Sequence, residues 1–175
     1  MMPFQTTVLG IDASARSTGI VLLSPDRITI EQVIKPGNLK EGERLAFIEE
    51  AVLKTLEGKK IDLAAMEGPS YRSINKPFTL GEVYGTFKLV LFKKKIPVII
   101  VPPKTLKKYA VGVGTAKKEL MMKAAQEQGC RTNQEDISDA WHLARLGQDV
   151  LEGSSLVRRR ASEEVVQKMR KELCP

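Results

Sequence analysis

Histidine occurs once in this chain of 175 residues, at His142, and cysteine only twice, at Cys130 and Cys174. Neither cysteine has a Cys or His neighbour at metal-ligand spacing, which excludes a thiolate–imidazole zinc site. Two cysteines are also too few for a disulfide framework, so both read as reduced bystanders. Long apolar runs are missing too, and the N-terminal MMPFQTT has no charged segment followed by an apolar one. A membrane partner is therefore not expected, and a cytoplasmic location is. The GxxxxGK spacing of a P-loop is absent, although a GxG occurs at Gly112 and Gly114.

Acidic residues are placed where an apolar core would not ask for them. Asp12 ends the run VLGID, Glu67 ends LAAME, and Asp136 and Asp139 open a late helical pattern. An unpaired carboxylate at the edge of a core costs several kcal/mol, roughly. Divalent cations offset such a cost, because hard oxygens on separate elements can share one or two magnesium or manganese ions. For Asp136 and Asp139 the structural alternative is stabilisation of a helix dipole in its first turn. Asp12 and Glu67 have no such alternative.

The whole chain carries the opposite sign: 28 Lys and Arg against 21 Asp and Glu leave a formal charge of +7. Basic surface around an acidic, metal-ready pocket suits a polyanionic substrate, whereas simple solubility explains the charge alone equally well. The stretch KTLKKYAVGVGTAKKE concentrates Lys104, Lys107, Lys108, Lys117 and Lys118 around the Gly112 to Gly114 turn and is the main phosphate-binding candidate. A solvated charge run is its plain alternative. The loop after Glu67 carries Tyr71, Arg72 and Lys76, an aromatic for stacking on an unpaired base and cations for phosphates. Phe78 reads as core packing. His142, beside Trp141, reads as a partly buried helix residue rather than a ligand.

Thr7 to Ser14, Gly19 to Ser24 and Ile28 to Lys35 read as a meander of three strands, with turns at ARST and SPDR. Helical spacing follows from Glu43 to Glu57, ended by Gly58, then a buried strand from Leu63 to Glu67 and a helix from Pro77 to Lys95. Val98 to Val101 is a fifth strand, closed by Pro102 and Pro103. A Gly-containing loop leads to helices from Ala116 to Gln128 and from about Glu135 to Leu151, the latter with capping-box spacing between Thr132 and Glu135. The order implies an α/β fold with a five-stranded mixed sheet, three antiparallel-connected strands and then two parallel, with helices on both faces. Residues 1–152 form the expected domain, and 153–175 a basic C-terminal helix or tail in which Arg158 to Arg160 could add a DNA grip.

GIDASARSTG, AMEG, LGEVYG, VPPKTLKKYAVGVGTAKKE and EDISDAWHLA, in that order over roughly residues 7 to 150, resemble the RuvC-type Holliday junction resolvases of the RNase H-like superfamily, in their bacteriophage form. The resemblance implies an RNase H-like fold and a crossover junction endodeoxyribonuclease acting in the cytoplasm of a bacterial host. It implies Asp12, Glu67, Asp136 and Asp139 as catalytic metal ligands, Mg2+ (or Mn2+) as cofactor with two ions per site, and hydrolysis without a covalent enzyme intermediate. It further implies four-way junction DNA as substrate, Lys107 and Lys118 as DNA-binding positions, and a homodimer formed through the helix carrying Gly81 and Gly85 on one face. Tyr71 is the nearest match to the family's junction-centre aromatic, at a different spacing. Three alternatives stand beside this reading: a noncatalytic branched-DNA-binding protein, an RNase H-like nuclease acting on RNA or replication forks, and an actin-like ATP-dependent kinase, which normally needs two such cores.

Overall fold

Alternation with a period of two decides which way each strand side chain faces, and here both faces of the sheet are covered, so the inner strands are apolar throughout. In the computed structural model the described residues are 6–25, 27–69, 77–155 and 159–173. Strands β1 (Val8–Asp12), β2 (Thr18–Ser24) and β3 (Arg27–Ile34) form an antiparallel meander. Helix α1 (Glu41–Thr55) leads to β4 (Leu63–Glu67), and α2 (Pro77–Lys93) leads to β5 (Val98–Val101). Both of these strands add in parallel, giving the order β3-β2-β1-β4-β5. The expected mixed five-stranded sheet is the one observed.

Val8, Val21, Leu23, Leu63, Ala65, Ile99 and Val101 pack on one face against α3 (Pro103–Val111), α4 (Lys118–Glu127), α5 (Glu135–Glu152) and α6 (Arg160–Leu173). Their neighbours Leu9, Ile11, Ile20, Leu22, Ala64 and Met66 pack on the other face with Ile48 and Val52 of α1 and with Val83, Phe87 and Leu91 of α2. In α6, Val165, Val166 and Met169 are buried within the first of these clusters. Among the described residues, no helix is long and apolar enough to cross a membrane.

Several expectations need correction. Residues 103–111, where the sequence implies a loop, are helix α3: Pro102 at the N-cap and Pro103 in the first turn start a helix as readily as they close a strand. The capping box between Thr132 and Glu135 does not form. Gln134 is the N-cap, and Thr132 instead accepts a hydrogen bond from the Gln134 amide at 3.0 Å. Phe78 is not in the core but 87% exposed. Helix ends moved by a few residues, with α1 stopping at Thr55 ahead of Gly58 and α2 at Lys93.

Candidate metal centre and nucleic-acid interface

Strand parity aims two of the carboxylates. Val8 and Gly10 face α5, so Asp12 at the end of β1 faces it too, and the same alternation through Leu63 and Ala65 points Glu67 that way. Parallel pairing of Ile11 with Met66 sets Asp12 beside Glu67 at the C-terminal ends of adjacent strands. Each of the two carboxyls acts on the other's titration.

Glycines bring the other two carboxylates in. A Cβ on Gly10 would lie 1.8 Å from the Ala140 carbonyl oxygen, and one on Gly19 would lie 2.0 Å from the Asp136 carbonyl oxygen. Helix α5 therefore rests on bare backbone where the sheet meets it. Gly19 is also the cross-strand partner of Asp12, so the space next to Asp12 is left for the start of α5. Asp136 and Asp139, three residues apart on that helix, share a face. The turn joining β1 to β2 completes the wall: Ser14 Oγ accepts from the amides of Arg16 and Ser17, and the Ser17 hydroxyl donates to Asp136 Oδ2.

Burial, then repulsion among the carboxylates, dominates the electrostatics. Asp12 is pushed up to about 8 by burial and by the charges of Glu67, Asp139 and Asp136. Burial and Asp139 raise Glu67 to about 7, against the opposing pull of Lys107. Burial raises Asp139 to about 6, with Lys118 and Lys107 opposing. This is the signature of negative charge held in one place without enough positive charge beside it.

Of the predicted phosphate ligands, Lys107 and Lys118 act electrostatically on this centre. Lys107 is half-buried on α3, and Lys118 opens α4, paired with Glu135. Lys104 and Lys117 are exposed, and Lys108 pairs with Glu164 of α6 at 2.8 Å. Tyr71, Arg72, Lys76 and Arg158 lie outside the described residues. Arg159 donates to the Ala110 carbonyl at 2.9 Å and Arg160 pairs with Glu164, so two of the three tail arginines have partners within the fold. His142 is fully buried, and its Nε2–H donates to the Met121 carbonyl at 2.9 Å. Burial holds it down to about 4, as suits a packed helix residue.

Two residues of this site escaped the sequence reading. Ser17 reads as a turn former, and nothing in its spacing announces Asp136 as its partner. Tyr84 sits among apolar residues of LGEVYG and reads as helix bulk. It is nevertheless buried beneath the site, donating its hydroxyl to the Glu67 carbonyl oxygen, and its own ionisation is pushed upward by burial, Glu67 and Asp12.

Whether these residues suit a cation follows from the donor set. All four side chains are hard oxygen donors, which fit magnesium, manganese or calcium rather than thiophilic metals. Among the described residues no three His, Cys, Asp or Glu side chains are drawn tightly enough together to hold one ion as they stand. Asp and Glu close such a gap by rotating about side-chain bonds, and a cation offsets the repulsion of bringing them together. The residues fit.

No protein-family model matches the chain. Among curated proteins, it is 29% identical over 147 residues to the crossover junction endodeoxyribonuclease RuvC of Ruegeria pomeroyi, covering 78% of this chain and 87% of that one. It is 24% identical over 149 residues to the protein of the same name from Prochlorococcus marinus, covering 80% and 96%. Among solved structures, Thermus thermophilus RuvC superposes with a TM-score of 0.74 at 22% identity, over 85% of this chain and 98% of that one. The same protein in complex with a Holliday junction substrate superposes with a TM-score of 0.71 at 23% identity, over 79% and 90%. These two structures establish the RNase H-like fold.

Proposed function

We propose that this chain, RuvC-like in sequence and in fold, is a divalent-metal-dependent endonuclease that resolves four-way DNA junctions by paired nicking in the cytoplasm of its host. The observation that carries the reading is the convergence of Asp12, Glu67, Asp136 and Asp139 in one acidic centre, with Lys107 and Lys118 acting on it. The curated relatives are named as crossover junction endodeoxyribonucleases, and one of the matching structures holds a Holliday junction. Each is consistent with that chemistry.

Asp12, central among the four, would hold metal together with Glu67 on one side and Asp136 and Asp139 on the other. Mg2+ is the natural ion for an all-carboxylate set, and two ions suit four ligands divided this way. When bound, the ions supply Lewis acidity toward the phosphodiester and toward the attacking water. The protein's own part is placement. Tyr84 anchors the backbone of Glu67, Ser17 orients Asp136, and the bare backbone at Gly10 and Gly19 fixes the distance between sheet and helix. Lys107 and Lys118 supply positive charge for the neighbouring phosphates, and Lys118 exchanges its Glu135 partner for DNA.

Paired nicking needs two sites related by symmetry. Helix α2 offers a surface for this: Phe78 is 87% exposed and Phe92 is 80% exposed, Leu89 lies between them, and Gly81 and Gly85 have open space above them. An apolar helix face with bare backbone at its centre suits close packing against a second copy of itself.

Nicking of synthetic four-way junctions, forks, flaps and linear duplexes, with and without Mg2+, tests the reading. The expected result is metal-dependent paired nicks on the junction. Asp12→Asn, Glu67→Gln and Asp139→Asn should each lower the rate at least about a thousandfold, as loss of several kcal/mol of transition-state stabilisation requires, while junction binding in Ca2+ persists. Wild-type rates from Asp12→Asn would end the proposal.

A further inference from the structure

Helix α3 has little reason to be stable by itself. It has nine residues, no acidic side chain in its first turn and Lys104 at the positive end of its dipole. Gly112, with φ of 86°, ends it in the left-handed conformation that favours glycine. Yet α3 carries Lys107, the cation that acts on both Glu67 and Asp139.

Beyond the burial of Leu106, Tyr109 and Ala110 in the core, its C-terminal end is held by the C-terminal segment. The last carbonyls of a helix lack partners within the helix. Here the Lys108 carbonyl accepts from the Gly112 amide at 2.9 Å, the Tyr109 carbonyl from Ser162 Oγ at 2.8 Å, and the Ala110 carbonyl from Arg159 Nη1 at 2.9 Å. Two of these three caps come from α6 and the residue just before it. Glu164 of α6 also pairs with Lys108, and Ser162 is fully buried against α3. On the inner side Tyr109, with no exposed surface, donates its hydroxyl to Asp149 Oδ2 at 2.6 Å, and Asp149 lies on α5, the helix bearing Asp136 and Asp139. The buried side of α3 is thus tied at its C-terminal end to both α5 and α6, leaving Lys104 and Lys107 on its outer side.

We propose that Arg159 and Ser162 are positioning residues: by capping α3 they hold Lys107 at a fixed place beside Glu67 and Asp139, so that the segment 153–175 serves DNA binding through α3. The proposal rests on the reading of Lys107 as a phosphate contact. It accounts for why the buried Ser162 hydroxyl and the Arg159 guanidinium are both directed at backbone carbonyls of one short helix. A helix docked only by apolar burial, through Val165, Val166 and Met169, would not require them.

A double-mutant cycle on the full-length protein tests it. Arg159→Ala with Ser162→Ala should weaken binding to a four-way junction in Ca2+ roughly three- to tenfold, the equivalent of about one lost hydrogen-bonded contact, and lower the salt slope by about one. Hydrogen exchange should quicken in residues 103–111 but not in α5. Arg159→Lys in place of Arg159→Ala should recover part of the affinity. Lys107→Ala alone should show a similar loss, and adding the capping substitutions to it should cost little more, because both act through one contact. If Lys107→Ala weakens binding while the capping variant keeps parental affinity and slope, or if the two losses simply add, the positioning role is overturned and the phosphate reading stands. If Lys107→Ala itself binds like the parent, the phosphate reading fails and the proposal falls with it.

Discussion

The two sides of the sheet use their glycines differently. On the α5 face, Gly10, Gly19 and Gly147 are sites where a Cβ would meet neighbouring atoms at 1.8, 2.0 and 2.6 Å. On the α1–α2 side, Gly42, Gly81 and Gly85 are exposed on the outer side of their helices, with nothing within 4 Å. Two open cavities flank α1, of about 570 and 480 Å³, lined by residues such as Gln32, Phe47, Glu50 and Lys94. The tight face carries the carboxylates and the loose one carries the exposed apolar stripe of α2. Chemistry that depends on ligands from strands and from a helix needs the layer spacing fixed to a fraction of an ångström, and a surface for association does not.

That contrast is most directly broken by adding one methyl group to each face. Gly10→Ala should destabilise the fold by roughly 1–3 kcal/mol or more, since the clash is with backbone that cannot rotate away. Nicking should also fall at temperatures where the variant is still folded. Gly42→Ala, in open space in the first turn of α1, should instead be neutral or stabilise by up to about 1 kcal/mol. Urea unfolding of both variants checks this, and equal effects would remove the distinction between the packed layer at Gly10 and the open side of the helix at Gly42.

The tight face should also make the metal-free protein sensitive to pH. Asp12, Glu67 and Asp139 keep their protons to about 8, 7 and 6 in the folded protein, whereas in the unfolded chain they lose them near 3.8, 4.5 and 3.8. Between those limits the folded state binds more protons than the unfolded one, so stability falls as pH rises through the window. Thermal unfolding in EDTA should show a lower midpoint at pH 8 than at pH 5. Asp12→Asn should flatten the dependence and exceed the parent in stability at pH 8. A parent whose midpoint rises from pH 5 to pH 8 in EDTA would contradict this electrostatic account.

The smallest effect on the fold is expected from the loose face. Phe78→Ser with Phe92→Ser should leave the unfolding midpoint of the dilute monomer almost unchanged, because neither ring is buried. With the dimer proposed through α2, sedimentation velocity should show it lost at concentrations where the parent retains it. A variant that still dimerises would direct attention to a different surface.

Legibility differed by element. Strands β4 and β5 were read with their observed bounds, because short apolar runs closed by turn residues leave little choice. The carboxylates at Asp12 and Glu67 were legible because a charge ending an apolar strand conflicts with burial. Helix α3 was missed because its prolines serve a strand end and a helix start alike, and Phe78 was misplaced because an aromatic beside an apolar helix looks like core. Ser17, Tyr84 and Ser162 were not legible as partners, since each acts on a group 17 to 119 residues away in the chain.

Local pattern alone determined which segments are strands, which residues carry excess charge, and that Asp12 and Glu67 each end an apolar strand, because these depend only on neighbouring residues. Tertiary structure decided that α5 descends onto Gly10 and Gly19 to bring Asp136 and Asp139 to them, that Lys107 and Lys118 reach the same centre, and that the charged C-terminal segment caps α3. Each of these requires two distant parts of the chain to meet, and their meeting is set by packing of the whole core rather than by any local preference.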